Sequence, residues 1–161
     1  MGKTYILSTP PRTPAFAAGA AEQGVHTFSA TLETAGTQSL TATDIANGAV
    51  AGAQTGILVN AAAASRLLLS APASVNAGAS FSVTVTVVDA YGNVVTGYRG
   101  TLSFSSSDAT ANLPTNHAFT AADHGAHTFT GLVLNKKGKQ TITVTDTLNS
   151  AITGSVIENV L

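Results

Sequence analysis

Apolar and polar residues alternate along most of the chain, which predicts strands rather than helices. In Phe81-Ser-Val-Thr-Val-Thr-Val87 every second residue is apolar, and the residues between them are Ser or Thr. The same period of two recurs around Ile142 and Val144 and, more weakly, around Leu40 and Ala42. This alternation is typical of strands that bury one face and expose the other.

Turn signals separate these alternating runs. The turn signals each combine a glycine with an Asn or Asp, and they are Tyr91-Gly-Asn93, Asn135-Lys-Lys-Gly138, Asn47-Gly48 and Asp123-His-Gly125. Residues 15–23 are the one helical candidate, and Gly19 within them disfavours a helix. Short strands with frequent turns predict an all-β chain folded as an antiparallel β-sandwich of two sheets.

The chain also contains an internal repeat. Gly24-Val-His-Thr-Phe28 returns as Gly125-Ala-His-Thr-Phe129, and Gly36-Thr-Gln-Ser-Leu-Thr-Ala-Thr-Asp44 returns as Gly138-Lys-Gln-Thr-Ile-Thr-Val-Thr-Asp146. A complete unit therefore covers residues 65–161, and residues 1–60 match only its second half. In this alignment residues 2–8 occupy the place of residues 100–106. The four alanines at 61–64 predict a linker between the two units.

Several motifs carry a resemblance to a known family. Asp89-Ala-Tyr-Gly-Asn-Val-Val-Thr-Gly97, Phe119-Thr-Ala-Ala-Asp123 and the repeated Gly-x-His-Thr-Phe occur in this order. Together they resemble bacterial immunoglobulin-like repeats of the invasin/intimin type. The resemblance implies an immunoglobulin-like antiparallel β-sandwich, one complete unit preceded by a partial unit. It also implies a tandem repeat of surface or secreted adhesins, used mostly as spacer and display modules without catalytic residues.

Composition excludes several classes of function. The chain has no cysteine, so disulfide scaffolds, thiolate metal sites and cysteine nucleophiles are impossible. Its net charge of −1, with only 9% charged residues, provides no electrostatic footprint for nucleic acid. No apolar run is long enough for a membrane span, and no signal peptide is visible at the N-terminus. We therefore expect the chain to be either intracellular or a mature or excised piece of a longer protein. The resemblance favours the second alternative and implies a place outside the cell or at its surface.

The most distinctive candidate site is the loop that begins at Asp89. Asp89, Asn93 and either Asp108 or Asp146 are weak candidates for a calcium site, which needs six to eight oxygen ligands. The structural interpretation is favoured instead. In it Asp89 accepts hydrogen bonds from loop N–H groups, Gly92 adopts a positive φ, and Tyr91 packs under the loop. Otherwise we expect no metal and no cofactor.

Histidines and tyrosines supply the remaining candidates. His117, His124 and His127 can be read as a metal-binding trio. Because His127 repeats His26, a strand histidine bonded to a neighbouring loop is the favoured interpretation. Tyr91 and Tyr98 lie near one loop and are the one plausible aromatic pair for binding a glycan.

The partial unit is the strongest indication of function. A sandwich that lacks its first strands exposes a groove and an unpaired sheet edge. Strand complementation by another chain, packing of the two units within a monomer, and excision from a longer repeat protein are three explanations that stay open.

We expect a non-enzymatic extracellular structural or adhesion module with no catalytic residue, which self-associates or packs against adjacent repeats in a filament or surface layer. The alternatives are a phage or virion decoration or tail domain and a carbohydrate-binding accessory module. A cell-surface or glycan ligand is the further partner that these functions imply.

Overall fold

The computed structural model describes residues 4–7, for which only the backbone is considered, and residues 27–161. It divides the chain into two compact units, Met1–Asn60 and Ala61–Leu161. Within the described residues there are ten strands and one short 3-10 helix, Ala121–Asp123. The prediction of an all-β chain is confirmed.

The second unit consists of two antiparallel sheets. The first sheet has the order β4 (Arg66–Ser70), β5 (Ser80–Val88), β8 (Ala126–Val133). The second has the order β10 (Thr153–Val160), β9 (Gly138–Asp146), β6 (Thr101–Ser106), β7 (His117–Ala118). Every pairing in both sheets is antiparallel.

The predicted alternation places one face of each sheet in a shared core. Phe81, Val83 and Val85 of β5 are buried, and Ile142 and Val144 of β9 are buried opposite them in the same apolar cluster. The Ser and Thr residues between them are exposed or half-buried, because successive side chains of a strand point to opposite faces. The second unit is therefore a β-sandwich, and its assignment as immunoglobulin-like stays a prediction.

The first unit contains one sheet with the order β1 (Thr4–Leu7), β2 (Gly36–Thr43), β3 (Ala51–Val59). β2 and β3 form an antiparallel hairpin, whereas β1 pairs with β2 in parallel. Residues 2–8 align with 100–106 in the repeat, but the two strands there differ in direction, because β6 is antiparallel to β9 whereas β1 is parallel to β2. The connection from β1 to β2 is long enough for the crossover that a parallel pair requires.

The repeat is visible in the register of two hairpins, which we call the first hairpin (β2–β3) and the second hairpin (β9–β10). Leu40 pairs with Gln54 in the first, and their equivalents Ile142 and Val156 pair in the second. The register then slips by one residue at a β-bulge in β3, where Gly56 has a φ of 71°. Bulges commonly use a glycine at such a φ because a Cβ is disfavoured there.

Residues 61–64 are tied into the second unit. The N–H of Ala62 donates a 2.9 Å hydrogen bond to Asp89 Oδ2, and Ala64 packs against the core of the sandwich. The alanines that the sequence assigns to a linker thus belong to the start of the second unit.

Candidate functional site

The loop after β5 is organised by the buried carboxylate of Asp89. Its Oδ1 accepts hydrogen bonds from the N–H groups of Tyr91 and Asn93 at 2.9 and 2.8 Å. Its Oδ2 accepts from the N–H of Ala62 and from the Asn93 side-chain amide. Burial alone would raise the pKa of Asp89, but these donors outweigh it and lower the pKa to about 2. The predicted loop-bracing role is confirmed, as is the positive φ of Gly92.

Asp108 braces a different loop in the same way. Its Oδ1 accepts from the N–H and the hydroxyl of Thr110, and its Oδ2 accepts from the N–H groups of Asn135 and Lys136. The hydrogen bond from the Thr110 hydroxyl leads the effects that hold the pKa of Asp108 well below its usual range.

The structure brings Asp89 and Asn93 together but places Asp108 far from them. Asp89 and Asn93 lie just after the end of β5, whereas Asp108 bonds to the chain just beyond Val133, which pairs with the start of β5. The nine residues of β5 place these ends about 30 Å apart. In addition, both Asp89 and Asp108 already accept four hydrogen bonds each.

The two tyrosines of the proposed binding pair lie in different environments. Tyr91 is 56% exposed, so the expectation that its ring packs under the loop is wrong. Tyr98 is buried, packs edge-on against Phe119 at 5.3 Å, and donates its hydroxyl proton to Asp146 Oδ2. Burial and this bond raise the pKa of Tyr98. The pair therefore does not form an exposed aromatic platform.

The repeated hairpins end in the same turn. In the first, Asp44 Oδ1 accepts from the N–H groups of Ala46 and Asn47 at 2.7 and 3.0 Å. In the second, the turn that follows Asp146 has the same pattern, with Leu148 and Asn149 donating at 2.7 and 3.0 Å. Asp44 is exposed, whereas Asp146 is buried beside Tyr98.

Two histidines and an aspartate meet at one end of β8. His127 Nδ1 is 2.6 Å from Asp123 Oδ1, and His117 Nε2 is 3.5 Å from the same oxygen. The predicted bond between a strand histidine and a neighbouring loop is thus confirmed for His127. Its repeat equivalent His26 lies outside the described residues, and His124 is exposed and outside this group.

Asp123 is the member of this cluster that sequence reasoning missed. In the sequence Asp123 is part of a turn signal, and the trio His117, His124 and His127 does not include it. Its spacing of four residues before His127 is the one signal present in the sequence. That spacing is informative only if the chain reverses between the two residues, which the left-handed conformation of His124 (φ 47°) and Gly125 (φ 81°) achieves.

The outer edge of β3 is the principal candidate for an interaction surface. Among the described residues, β2 is the one strand that pairs with β3, so one edge of a nine-residue strand has no neighbour. β3 contains no charged residue and no proline, and its Leu58 is 71% exposed. Natural proteins usually protect such edges with charges, proline or a covering element, and the bulge at Gly56 is the one such protection on β3.

The corresponding edge strand of the second unit, β10, carries a charge that points inward. Glu158 is fully buried and lies opposite Gln140, whereas in the first hairpin Ile57 lies opposite the equivalent Gln38. An inward-pointing charge is one of the known protections of an edge strand. The first hairpin thus lacks a protection that the second has.

No protein-family model matches the chain, and no curated protein matches it. The described residues contain no helix with the length and apolar character needed to cross a membrane.

Proposed function

We propose that the protein is a non-enzymatic structural module of a bacterial surface or secreted assembly. It self-associates through the outer edge of β3, which has no neighbouring strand among the described residues. The observation that carries this proposal is the contrast between two edge strands of one repeat. β10 has a buried, inward-pointing Glu158, whereas the equivalent position of β3 is Ile57 and the strand has no charge. The surface location and the adhesin-like role rest on the resemblance of the sequence motifs.

A second copy of the chain is the occupant we propose for this edge. The edge strands of the sandwich suit the role less well. β10 carries Glu158, and β4 is a five-residue strand that begins with Arg66. β7 has only two residues, and the outer edge of β8 is bridged by Asn112 at Val133. Pairing of β3 with β3 of the second copy joins two equal uncharged strands in an antiparallel, two-fold arrangement. Such an interface uses the same surface on both copies and closes as a dimer.

Sedimentation velocity at a series of protein concentrations tests the proposal. We expect a concentration-dependent dimer, and we expect Leu58→Lys to weaken it at least about tenfold, since it adds a charge to each paired strand. Leu148→Lys is the matched control, because Leu148 is 94% exposed in the turn of the second hairpin and is not part of β3.

A strict monomer at all concentrations would overturn the proposal, as would equal weakening by Leu58→Lys and by the control. Filaments in electron micrographs would contradict the two-fold pairing and indicate head-to-tail pairing instead. A heterologous interface that does not close forms open fibres.

A further inference from the structure

Three groups with metal-binding chemistry converge where β7, the 3-10 helix and β8 meet. Among residues 27–161, His117, Asp123 and His127 are the one set of three histidine or acidic side chains whose ligand atoms all lie within 4.8 Å of one another. The two imidazole rings stack with their centroids 3.9 Å apart. Each of the three structural elements contributes one residue, so the cluster is a product of the fold.

Asp123 is held so that one carboxylate oxygen faces both histidines. Its Oδ2 accepts hydrogen bonds from the N–H and the hydroxyl of Thr120 at 2.6 and 2.9 Å. The other oxygen, Oδ1, therefore points at His117 and His127. The bond from the Thr120 N–H leads the effects that hold the pKa of Asp123 below its usual range, so the carboxylate is ionised at neutral pH. Such outer contacts orient ligands in metal sites.

One ring nitrogen of His117 has no hydrogen-bond partner among the described residues. Its Nε2 is shielded from solvent and makes no hydrogen bond within the described part of the chain, although the side chain as a whole is 28% exposed. A buried polar atom left unsatisfied costs free energy, and in native structures it calls for an explanation such as an unseen ion. Phe129 packs edge-on against both imidazoles, with ring centroids 5.4 and 4.7 Å away, and restrains their orientation.

One separation within the cluster already fits a small tetrahedral ion. Zinc bonds to nitrogen and oxygen of about 2.0–2.1 Å place tetrahedral ligand atoms about 3.3 Å apart. The His117–Asp123 separation of 3.5 Å is close to that value. The His127–Asp123 separation of 2.6 Å is a hydrogen-bond distance, so this contact has to open when an ion enters between the two atoms, with Nδ1 of His127 free of a proton.

We propose that His117 Nε2, Asp123 Oδ1 and His127 Nδ1 bind Zn²⁺ or a divalent ion of the same chemistry, with the fourth position left to water. Two imidazoles and one carboxylate suit zinc and its neighbours among the transition metals, whereas calcium prefers oxygen ligands alone. The site lies wholly within the second unit and does not depend on the proposed self-association. Its ion ties β7 and the 3-10 helix to β8.

Calorimetric titration of the full chain, without an affinity tag and after treatment with chelator, tests the site. With ZnCl₂ at neutral pH we expect one ion per chain, and with CaCl₂ we expect no binding. Thermal unfolding of the second unit is expected to shift upward by about 10 °C when free Zn²⁺ exceeds its Kd about 100-fold.

Single-ligand variants identify the residues that hold the ion. His117→Gln and His127→Gln are expected to lose stoichiometric binding, whereas His124→Gln keeps it, because His124 is an exposed histidine of the same loop outside the cluster. Absence of binding by the unaltered chain would overturn the proposal, as would equal binding by folded His117→Gln, which means an adventitious ion only.

Co²⁺ spectroscopy keeps the test decisive if a ligand variant does not fold. An intense tetrahedral ligand-field spectrum from one Co²⁺ per unaltered chain, displaced by Zn²⁺, supports the site. A weak spectrum like that of the hydrated ion would overturn it.

Discussion

The first and second hairpins share one local design and differ in what covers them. Both pair their strands in the same register up to the bulge of β3, and both end in a turn braced by an aspartate. Val50 follows the first turn and is 59% exposed, whereas its equivalent Ile152 is 8% exposed. The difference arises because β5 and its neighbours pack over the second hairpin to form the core.

This comparison separates local from tertiary contributions. Hydrogen bonds between an aspartate and the N–H groups two and three residues later form in either setting, since they need only the turn itself. Burial of the same residues needs a second sheet. The first hairpin therefore shows the hydrogen bonds that the repeated sequence forms locally. The second hairpin shows the burial that the other strands of the sandwich add to them.

The largest expected effect comes from the two turn aspartates. Asp146→Ala is expected to lower the free energy of unfolding of the second hairpin by about 3 kcal/mol, because it removes the turn bonds and leaves the buried Tyr98 hydroxyl without an acceptor. Asp44→Ala removes only exposed turn bonds and is expected to cost about 1 kcal/mol. Native-state amide exchange in each hairpin measures both.

Asp146→Asn is the control, since its amide oxygen still accepts the turn bonds. Equal losses of unfolding free energy in Asp146→Ala and Asp44→Ala would show that the burial of Asp146 adds no stability to the second hairpin.

Acid titration of the same amides tests the charge of Asp146. Burial alone would raise its pKa, but the bond from Tyr98 and the turn N–H groups outweigh it and hold the pKa below the ordinary 3.8. The stability that this carboxylate contributes is therefore present above pH 3.8 and is lost as the pH falls through the lowered pKa. A second hairpin with unchanged stability down to pH 2 would contradict this assignment.

The next largest effect concerns the residue that closes each turn. Ile152→Ala is expected to cost about 2 kcal/mol, because it leaves a cavity at the margin of the sandwich core. Val50→Ala is expected to change stability by less than about 0.5 kcal/mol, since Val50 is largely exposed. Urea unfolding of the full chain, with each hairpin followed by amide exchange, provides the two values. A comparable cost at Val50 would mean that another surface covers it.

The smallest effect comes from the position where the edge strands differ. Glu158 has no hydrogen-bond partner for either oxygen among the described residues, and burial raises its pKa. Glu158→Ile, which introduces the first hairpin's Ile57, is expected to stabilise the second unit by about 1 kcal/mol at pH 7. The gain shrinks towards pH 4.5, because the raised pKa favours the neutral acid in the folded state and its cost of ionisation appears only as the pH rises.

Glu158→Gln is the matched control, since it removes the charge and its pH dependence but keeps a buried polar group. Chemical denaturation between pH 4 and pH 8 distinguishes the three proteins. A loss of stability in Glu158→Ile at pH 7 would show that the carboxylate has a favourable partner.

Much of the fold follows from the pattern of residues. The alternation in β5 and β9 predicted that Val83, Val85 and Ile142 are buried. With a period of two, all the apolar side chains of a strand lie on one face, and that face has to point into the core. The loop at Asp89 was equally predictable, since an aspartate followed by Gly92 indicates a braced turn.

Other features depend on distant parts of the chain. The parallel direction of β1 and the approach of His117 to Asp123 arise from pairing between separated segments, which no local pattern specifies. The burial of Tyr98 was missed for the same reason, because its partner Asp146 is far along the sequence.

The sequence by itself determined the strands, their turns and the repeat, because side-chain periodicity and turn chemistry act over a few residues. Only the tertiary structure decided that Asp146 is buried while Asp44 is exposed, and that His117, Asp123 and His127 converge. It also decided that, among the described residues, the outer edge of β3 has no neighbour while β10 carries an inward-pointing carboxyl group. The physical reason is that burial and ligand geometry depend on which segments pack together, and that packing is a property of the whole fold.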